Sequence, residues 1–400
     1  MLVSDVVVGY KSFMRIAMVG PFGFRPKKTM RARAFRLARE LVTRGHTVRL
    51  FMPPFHTPEE ADRTWEESGV ELRYVSLVGG IPLTVQRMVR EIAAWQPDIV
   101  HGFKPKAYSG LVMEWLWRFH RDAYRLVVDM DDWEGWGGWN ELEEYSTLYK
   151  HFFARQEQWG MTHCHALTVA SRALETLAWG HGASPDKTLY LPNGWGIDFD
   201  KPPTPSADVA AHTLLVYSRF FEFDVARLVQ VIQRVQVTIA DLRVLVVGAS
   251  LQAEDGVRFG QLMREAGLIE IVEDVGWVDE ADLPAVLCSA DVGIYLMEDT
   301  LLNRTKCPVK LADMCALGIP VVGEAVGQVR EYIRPNQTGY LHSTGDIDGV
   351  ANSVITLLQN ATLRQQFGDA SRQYMQDTFA WQNIARTLEK TYDLGVFQMG

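Results

Sequence analysis

The chain has 400 residues, room for two domains of ordinary size and too many for one compact core. Apolar residues make up 47% and charged residues 22%, the composition of a globular protein rather than a disordered or fibrous one. The formal net charge of −9 argues against general nucleic-acid binding, which needs a positive surface.

The start, Met1 to Tyr10, is apolar but lacks a basic leader, so no signal peptide is expected. Arg15–Val19 reads as the first strand, and the residues before Met14 as an extension or a mis-assigned start. A helix follows, with Met30, Ala34, Leu37, Ala38 and Leu41 on one face. Further strands are expected at Thr47–Phe51, Ile99–His101, Leu126–Asp129 and Leu167–Ala170. Leu191-Pro-Asn-Gly and Lys201-Pro-Pro-Thr-Pro form the best linker candidate. Beyond it, strands at Leu214–Tyr217, Val244–Val247, Val292–Leu296 and Pro320–Val322 alternate with helices near Asp224–Ile239, Val257–Ala266 and Val309–Leu317. Alternation of this kind predicts an α/β protein with two doubly wound parallel sheets, and the cleft between two such domains is the default ligand site.

Cys164, Cys288, Cys307 and Cys315 form no CxxC pair. That excludes a disulfide framework, gives little for zinc and fits a reducing, cytoplasmic setting. No apolar run reaches the ~18 residues of a membrane span. Residues 1–195 hold 24 Lys and Arg against 22 Asp and Glu, whereas residues 196–400 hold 16 against 27. The first half is therefore the better partner for an anionic surface or substrate.

Several stretches carry candidate chemistry. Gly20-Pro21-Phe22-Gly23 ends the first strand, where a glycine turn before a helix approaches a phosphate or sugar closely; an ordinary strand-to-helix turn is the plainer reading. Neither this turn nor Val247-Gly248-Ala249-Ser250 is a GxGxxG dinucleotide fingerprint. Lys27 and Lys28 precede a helix with Arg31, Arg33, Arg36 and Arg39 opposite its apolar stripe, which reads as a solvated face or a peripheral contact with anionic lipid. His101 closes a strand at the ligand-facing carboxyl edge, beside Lys104 and Lys106. Asp129 to Glu141 interleaves Asp131, Asp132 and Glu134 with Trp133, Trp136, Trp139 and glycines. The carboxylates suit sugar hydroxyls or a base, and the rings suit a sugar face; a tryptophan-packed structural loop is the alternative. Two aspartates without further oxygens make a weak metal site.

The second half carries the most specific pattern. Leu214-Leu-Val-Tyr-Ser-Arg219-Phe is followed by Val275-Gly-Trp-Val278 and Ala290-Asp-Val-Gly-Ile-Tyr-Leu. Thr305-Lys306-Cys-Pro-Val-Lys310-Leu-Ala-Asp313-Met-Cys-Ala-Leu-Gly-Ile-Pro-Val-Val322 comes next, then Val329-Arg-Glu-Tyr-Ile and Thr338-Gly-Tyr-Leu. In order and spacing this resembles the retaining family-4 glycosyltransferases of the GT-B fold. Gly20–Gly23, Arg44-Gly-His46, Leu167-Thr-Val-Ala-Ser-Arg and Leu191-Pro-Asn193-Gly194 agree, so the resemblance spans the chain from about residue 14.

The resemblance implies two Rossmann-like domains facing across a cleft. An acceptor domain would span 14–195, a nucleotide-sugar donor domain 196–375, and a helix within 376–400 would cross back to the first. It implies transfer of a sugar from a nucleotide-diphosphate sugar to a hydroxyl of a glycan, lipid or small molecule, with retention, no cofactor and no metal. Arg219 and Lys310, helped by Lys306 and the amides near Val309, would face the diphosphate. Asp313 would hold ribose, Thr305 stands at the donor-sugar position, and Val278 would meet the base through its backbone. His101, Asp131 and Asp132 would orient the acceptor hydroxyl, with Gly20, Gly23, Trp133, Glu134 and Trp136 around it. The departures are equally specific: Thr305 replaces a glutamate, Asp313 replaces another, Phe103 stands where a second histidine is common, and Asp224 lies near the place of a missing lysine. They motivate two alternatives, a nucleotide-sugar-binding protein without turnover and a nucleotide-sugar epimerase of the same fold.

Overall fold

The computed structural model describes residues 13–26, 28–199 and 212–393. Lys27, the Lys201-Pro-Pro-Thr-Pro segment and the Met1–Tyr10 start lie outside the described residues. The chain divides into two compact units, the first comprising residues up to Val169, Glu175–Leu191 and those from Ala385, and the second Ala170–Leu174 and Pro192–Ile384.

The first unit is built on eight strands: β1 (Arg15–Val19), β2 (Thr47–Met52), β3 (Thr64–Glu67), β4 (Val70–Tyr74), β5 (Ile99–Phe103), β6 (Arg125–Met130), β7 (Ala166–Val169) and β8 (Thr188–Tyr190). They lie in the order β3-β4-β2-β1-β5-β6-β7-β8, and all neighbours are parallel except β3 against β4. The second unit holds β9 (His212–Tyr217), β10 (Leu242–Val247), β11 (Val272–Gly276), β12 (Val292–Tyr295), β13 (Val321–Glu324) and β14 (Gly339–His342), in the parallel order β11-β10-β9-β12-β13-β14. Central strands such as β5 and β6 are buried on both faces, which is why they read as short unbroken apolar runs. The chain reverses its winding between β1 and β5 and between β9 and β12, the two places where such sheets bind ligands.

Three expectations are corrected here. The stretch 191–194 is no free linker. Asn193 donates to the carbonyl of Cys307 at 3.1 Å, and Tyr332 donates to the carbonyl of Asn193 at 2.6 Å, which stitches the segment along the second unit. The first-unit boundary accordingly falls at Leu191 rather than 195. The return to the first unit begins at Ala385 rather than 376, within the helix Trp381–Asp393. Glu389 of that helix meets Arg44 and His46, and Tyr392 meets His101.

The third correction concerns the basic helix. It opens with a wide π-helical turn, Met30–Phe35, before the regular helix Arg36–Thr43. A π-turn breaks the 3.6-residue stripe. Arg33 and Arg36 are consequently buried, and Arg31 pairs with Glu67 instead of standing in a row of free cations. Arg33, 2% exposed, clamps Asp129: Nε donates to Oδ1 and Nη2 to Oδ2, each at 2.7 Å. Thr168 also donates to Asp129 Oδ2 at 2.6 Å, and Arg33 reaches the carbonyl of Leu191 at 2.9 Å. Burial opposes the charge on Asp129, but Arg33 holds its carboxyl below the usual range.

Removing one partner of a buried pair strands the other charge. Arg33→Met should therefore lower the stability of the first unit by about 3–5 kcal/mol, read from its urea unfolding midpoint. A loss under about 1 kcal/mol, the size of an exposed pair, contradicts this account of the core.

Candidate functional site

In the second unit the candidate donor residues gather at the carboxyl ends of β9, β10 and β12. Lys310 stands in the first turn of the helix Val309–Leu317, whose cap Pro308 makes no side-chain hydrogen bond to the helix end. Its Nζ lies 3.7 Å from the centre of the Tyr217 ring. Gly248, at φ +106°, ends β10 beside it; a Cβ there would come within 2.8 Å of the Ser218 carbonyl and 3.3 Å of Lys310 Nζ. Only glycine suits that backbone and leaves the ammonium its place. Burial pushes the Lys310 ammonium down to about 8; Asp313 and Glu222 oppose the fall, while Arg219 and Lys306 add to it. Among the described residues no carboxylate lies within ion-pair distance of it.

Lys306 pairs with Glu222 at 2.8 Å and lies 4.0 Å from the centre of the Phe221 ring. Arg219 is exposed, with its guanidinium 5.8 Å from the same ring. Val278 lies just past β11, half-buried. The sequence thus delivers three cations and a helix N-terminus to one edge of the sheet, an arrangement suited to an anion.

Thr305 and Asp313 do other work. The Thr305 hydroxyl is buried and donates to the carbonyls of Leu301 at 3.0 Å and Leu302 at 2.9 Å, inside its own short helix. Asp313 Oδ1 accepts from the amides of Gly196 at 2.5 Å and Ile197 at 3.3 Å, and Tyr217 donates to Oδ2 at 3.5 Å. A Cβ on Gly196 would strike Val309 at 2.5 Å, so the segment must pass as glycine.

In the first unit the residues at the ends of β5 and β6 form a buried charge network. Lys104 Nζ lies 3.1 Å from Asp131, 2.8 Å from Glu134 and 3.5 Å from Asp132. Lys106 lies 2.6 Å from the other oxygen of Glu134. The backbone amide of Glu134 donates to both oxygens of Glu157, at 3.0 and 3.1 Å. Burial works against the Glu134 charge, but the two lysines hold its carboxyl at about 2. Burial pushes Asp131 up to about 6 against the pull of Lys104, with Asp132 and Asp129 adding to the rise. Burial and the Glu134 charge push Glu157 well above the carboxylate range. The ammonium of Lys104 takes the place among these oxygens that a cation would fill.

Trp133 and Glu134, which the resemblance sets around the acceptor hydroxyl, are interior. Trp133 stacks on His181 at 5.5 Å and donates from Nε1 to the carbonyl of Trp136 at 2.7 Å. Gly135 and Gly138 are glycine because a Cβ at either would lie 2.4 or 2.2 Å from Trp133 atoms. The loop folds around this ring. Trp136 stays exposed and Asp132 partly so. The turn Gly20–Gly23 is likewise buried, closed over by Met30 and Tyr74.

His101 is fully buried, and burial lowers its imidazole to about 4, so it is neutral at pH 7. Its Nδ1 shares a hydrogen bond with the Tyr392 hydroxyl at 2.9 Å, and its ring stacks on Phe103 at 4.4 Å. Glu222 and Glu157 escaped the sequence reading. Glu222 follows β9 by five residues and was signalled by that position; Glu157 sits in the helix Thr147–Thr162, where nothing local marks which glutamate turns inward.

Residues 28–194 match the Glycosyl transferase 4-like domain, and residues 211–360 match the Glycosyl transferases group 1 domain. A phosphatidyl-myo-inositol mannosyltransferase of Mycobacterium leprae is 23% identical over 95% of this chain and 96% of its own. An N-acetyl-alpha-D-glucosaminyl L-malate synthase of Bacillus anthracis is 29% identical over 39% of this chain and 38% of its own. Two solved structures share the fold: sucrose-phosphate synthase of Thermosynechococcus elongatus, at TM-score 0.72 and 19% identity, covering 95% of this chain and 98% of its own, and Anabaena HepE in complex with UDP and glucose, at TM-score 0.69 and 15% identity, covering 95% and 100%. Both halves of the chain match, and the chain belongs to the family-4-like retaining glycosyltransferases of the GT-B fold.

Proposed function

We propose that the second unit binds the nucleotide-diphosphate sugar with its diphosphate against Lys310, Arg219, Lys306 and the amides that open the helix Val309–Leu317. The observation that carries this reading is Lys310: a half-buried ammonium held down to about 8, resting on an aromatic ring, with two more cations bearing on it. Such a group gains most from an anion that restores its charge. Glycosyl transfer passes through an oxocarbenium-like state, so the main burden on the protein is the leaving diphosphate. In this reading protein cations and helix amides carry that charge rather than a metal ion. Val278 meets the base through its backbone. Asp313 positions rather than binds: it fixes the 196–197 segment beside the helix that carries Lys310. HepE, solved with UDP and with UDP-glucose, supports a nucleotide-sugar donor.

The acceptor hydroxyl, on a glycan, lipid or small molecule, is assigned to the first unit. Asp132 and Trp136 are the accessible members of its loop, while Asp131 and His101 act from behind as positioning residues. The mannosyltransferase relatives, named for a phosphatidyl-myo-inositol acceptor, make a lipid-linked polyol one case in this class. No helix among the described residues is long and apolar enough to cross a membrane. Cys164, Cys288, Cys307 and Cys315 are all buried, as suits a cytoplasmic enzyme. Thr305 and the committed carboxylate of Asp313 favour one second reading, a binding protein without turnover; nucleotide-sugar binding without transfer or hydrolysis distinguishes it.

Lys310→Ala and Arg219→Ala should each weaken nucleoside diphosphate binding by about 10–100-fold, the worth of a charge-assisted contact, and leave nucleoside binding nearly unchanged. Calorimetry with UDP, GDP and ADP beside their nucleosides reads this; equal losses for both ligands overturn the diphosphate assignment. Asp132→Asn should reduce transfer with donor affinity intact, the loss appearing in kcat and the acceptor KM. If donor affinity falls in step with activity, the acceptor assignment is wrong.

A further inference from the structure

Glu222 is 6% exposed, and its Oε2 has no hydrogen-bond partner. Its other oxygen accepts from Lys306 at 2.8 Å. Its main-chain carbonyl accepts from Asn303 Nδ2 at 2.8 Å and from the Glu298 amide at 2.7 Å, so the residue is pinned at both ends. With Ser218 and Tyr295 it lines a small cavity between the ends of β9 and β12, where the winding reverses, and the core side chains Val216, Phe223, Leu228, Ile294 and Leu296 make up the rest of the wall. The space is about the size of a single water molecule or hydroxyl group, and Glu222 and Ser218 are polar residues on its otherwise mostly apolar wall.

A buried carboxylate oxygen without a donor is rare in a finished core, because the group gave up water to be there. The neighbouring polar groups are already committed: Thr305 to its own helix, Asp313 to the 196–197 backbone. Lys306 follows Thr305 directly and holds Glu222 by its first oxygen, so the second oxygen belongs to the same cluster that the diphosphate is assigned to.

We propose that Glu222 Oε2 accepts a hydrogen bond from a hydroxyl of the donor's sugar, so that the sugar subsite is built from the segment after β9 and not from the helix Leu301–Thr305. Lys306 then serves two groups, fixing Glu222 and facing the diphosphate. The proposal rests on the donor reading above. It makes Glu222 a specificity-determining residue, since an acceptor built into a buried site discriminates against analogues that lack the hydroxyl.

The test is calorimetry on the wild type, Glu222→Met and Glu222→Gln with UDP-glucose, GDP-mannose and ADP-glucose, each beside its free nucleoside diphosphate. For the pair that binds the wild type, E222M should bind the free diphosphate as tightly as the wild type or more so, because the carboxylate beside Lys306 is gone, and should weaken the sugar nucleotide relative to that diphosphate by about 10–100-fold. E222Q, whose amide still exchanges a hydrogen bond, should lose about 3–10-fold. If E222M does not fold, as judged by its melting curve, E222Q decides alone. Deoxy analogues of the bound sugar should reveal one hydroxyl whose removal costs affinity in the wild type and nothing further in the variant. Equal losses for sugar nucleotide and diphosphate, or no loss, overturn the proposal and assign the cavity to a structural water or to ribose, while the donor reading stands on wild-type diphosphate binding. A wild type that binds none of the six ligands overturns both.

Discussion

The ammonium of Lys310 lies 3.7 Å from the Tyr217 ring centre, while the carboxylate of Asp313, one helical turn along, is turned to the amides of Gly196 and Ile197. A cation drawn out of water loses hydration, and a carboxylate usually restores the loss. Here a ring face offsets only part of it. The features around Lys310 preserve that condition. Gly248 keeps the space open, the segment bound to Asp313 keeps that carboxylate occupied, and the opening amides of the helix Val309–Leu317 add positive potential to the same edge.

The first unit handles buried charge in the opposite way. Arg33 and Asp129 satisfy each other with two hydrogen bonds, and Lys104 and Lys106 are enclosed by Asp131, Asp132 and Glu134. Charges paired this closely tie the end of β5 to the loop after β6, and the Glu134 amide, donating to Glu157, ties that loop to the helix Thr147–Thr162. Most of their desolvation is met within the fold; the exception is Asp131, which burial pushes up to about 6 and whose Oδ1 has no hydrogen-bond donor, and it belongs to the loop assigned to the acceptor. The same physical test, whether a buried charge has its partner, separates scaffold from candidate site in both units.

Much of this was legible in the sequence. Val309–Leu317 was read with the boundaries it has, because an apolar run ends at Gly318, whose φ of +79° caps the helix. The helix read as Asp224–Ile239 spans Val225–Thr238 with Asp224 as its cap, accepting from Ala226 at 3.1 Å. Central strands showed themselves by double-sided burial, whereas β3 and β11, at sheet edges and rich in acidic residues, carried no apolar signal. The basic helix misled because a π-turn is invisible to a 3.6-residue period, and so Arg33 read as solvated. The tryptophan loop misled for a related reason. Composition marks tryptophans and glycines as special, yet only packing shows that the glycines exist to let the chain wrap Trp133. Glu222 shows the reverse: its place after β9 was visible, but its orphaned oxygen depends on Lys306, which is 84 residues away.

The most direct measurement is the ionisation of Lys310 itself, followed by NMR of 15N-labelled lysine side chains with Lys310→Arg to assign the signal. In the free protein the ammonium should titrate near 8, as burial dictates. With saturating nucleoside diphosphate its midpoint should rise above the free value, because a phosphate at that position favours the charged form. A midpoint that does not move when the diphosphate binds contradicts the placement of the diphosphate against Lys310, and with it the donor site described for the second unit.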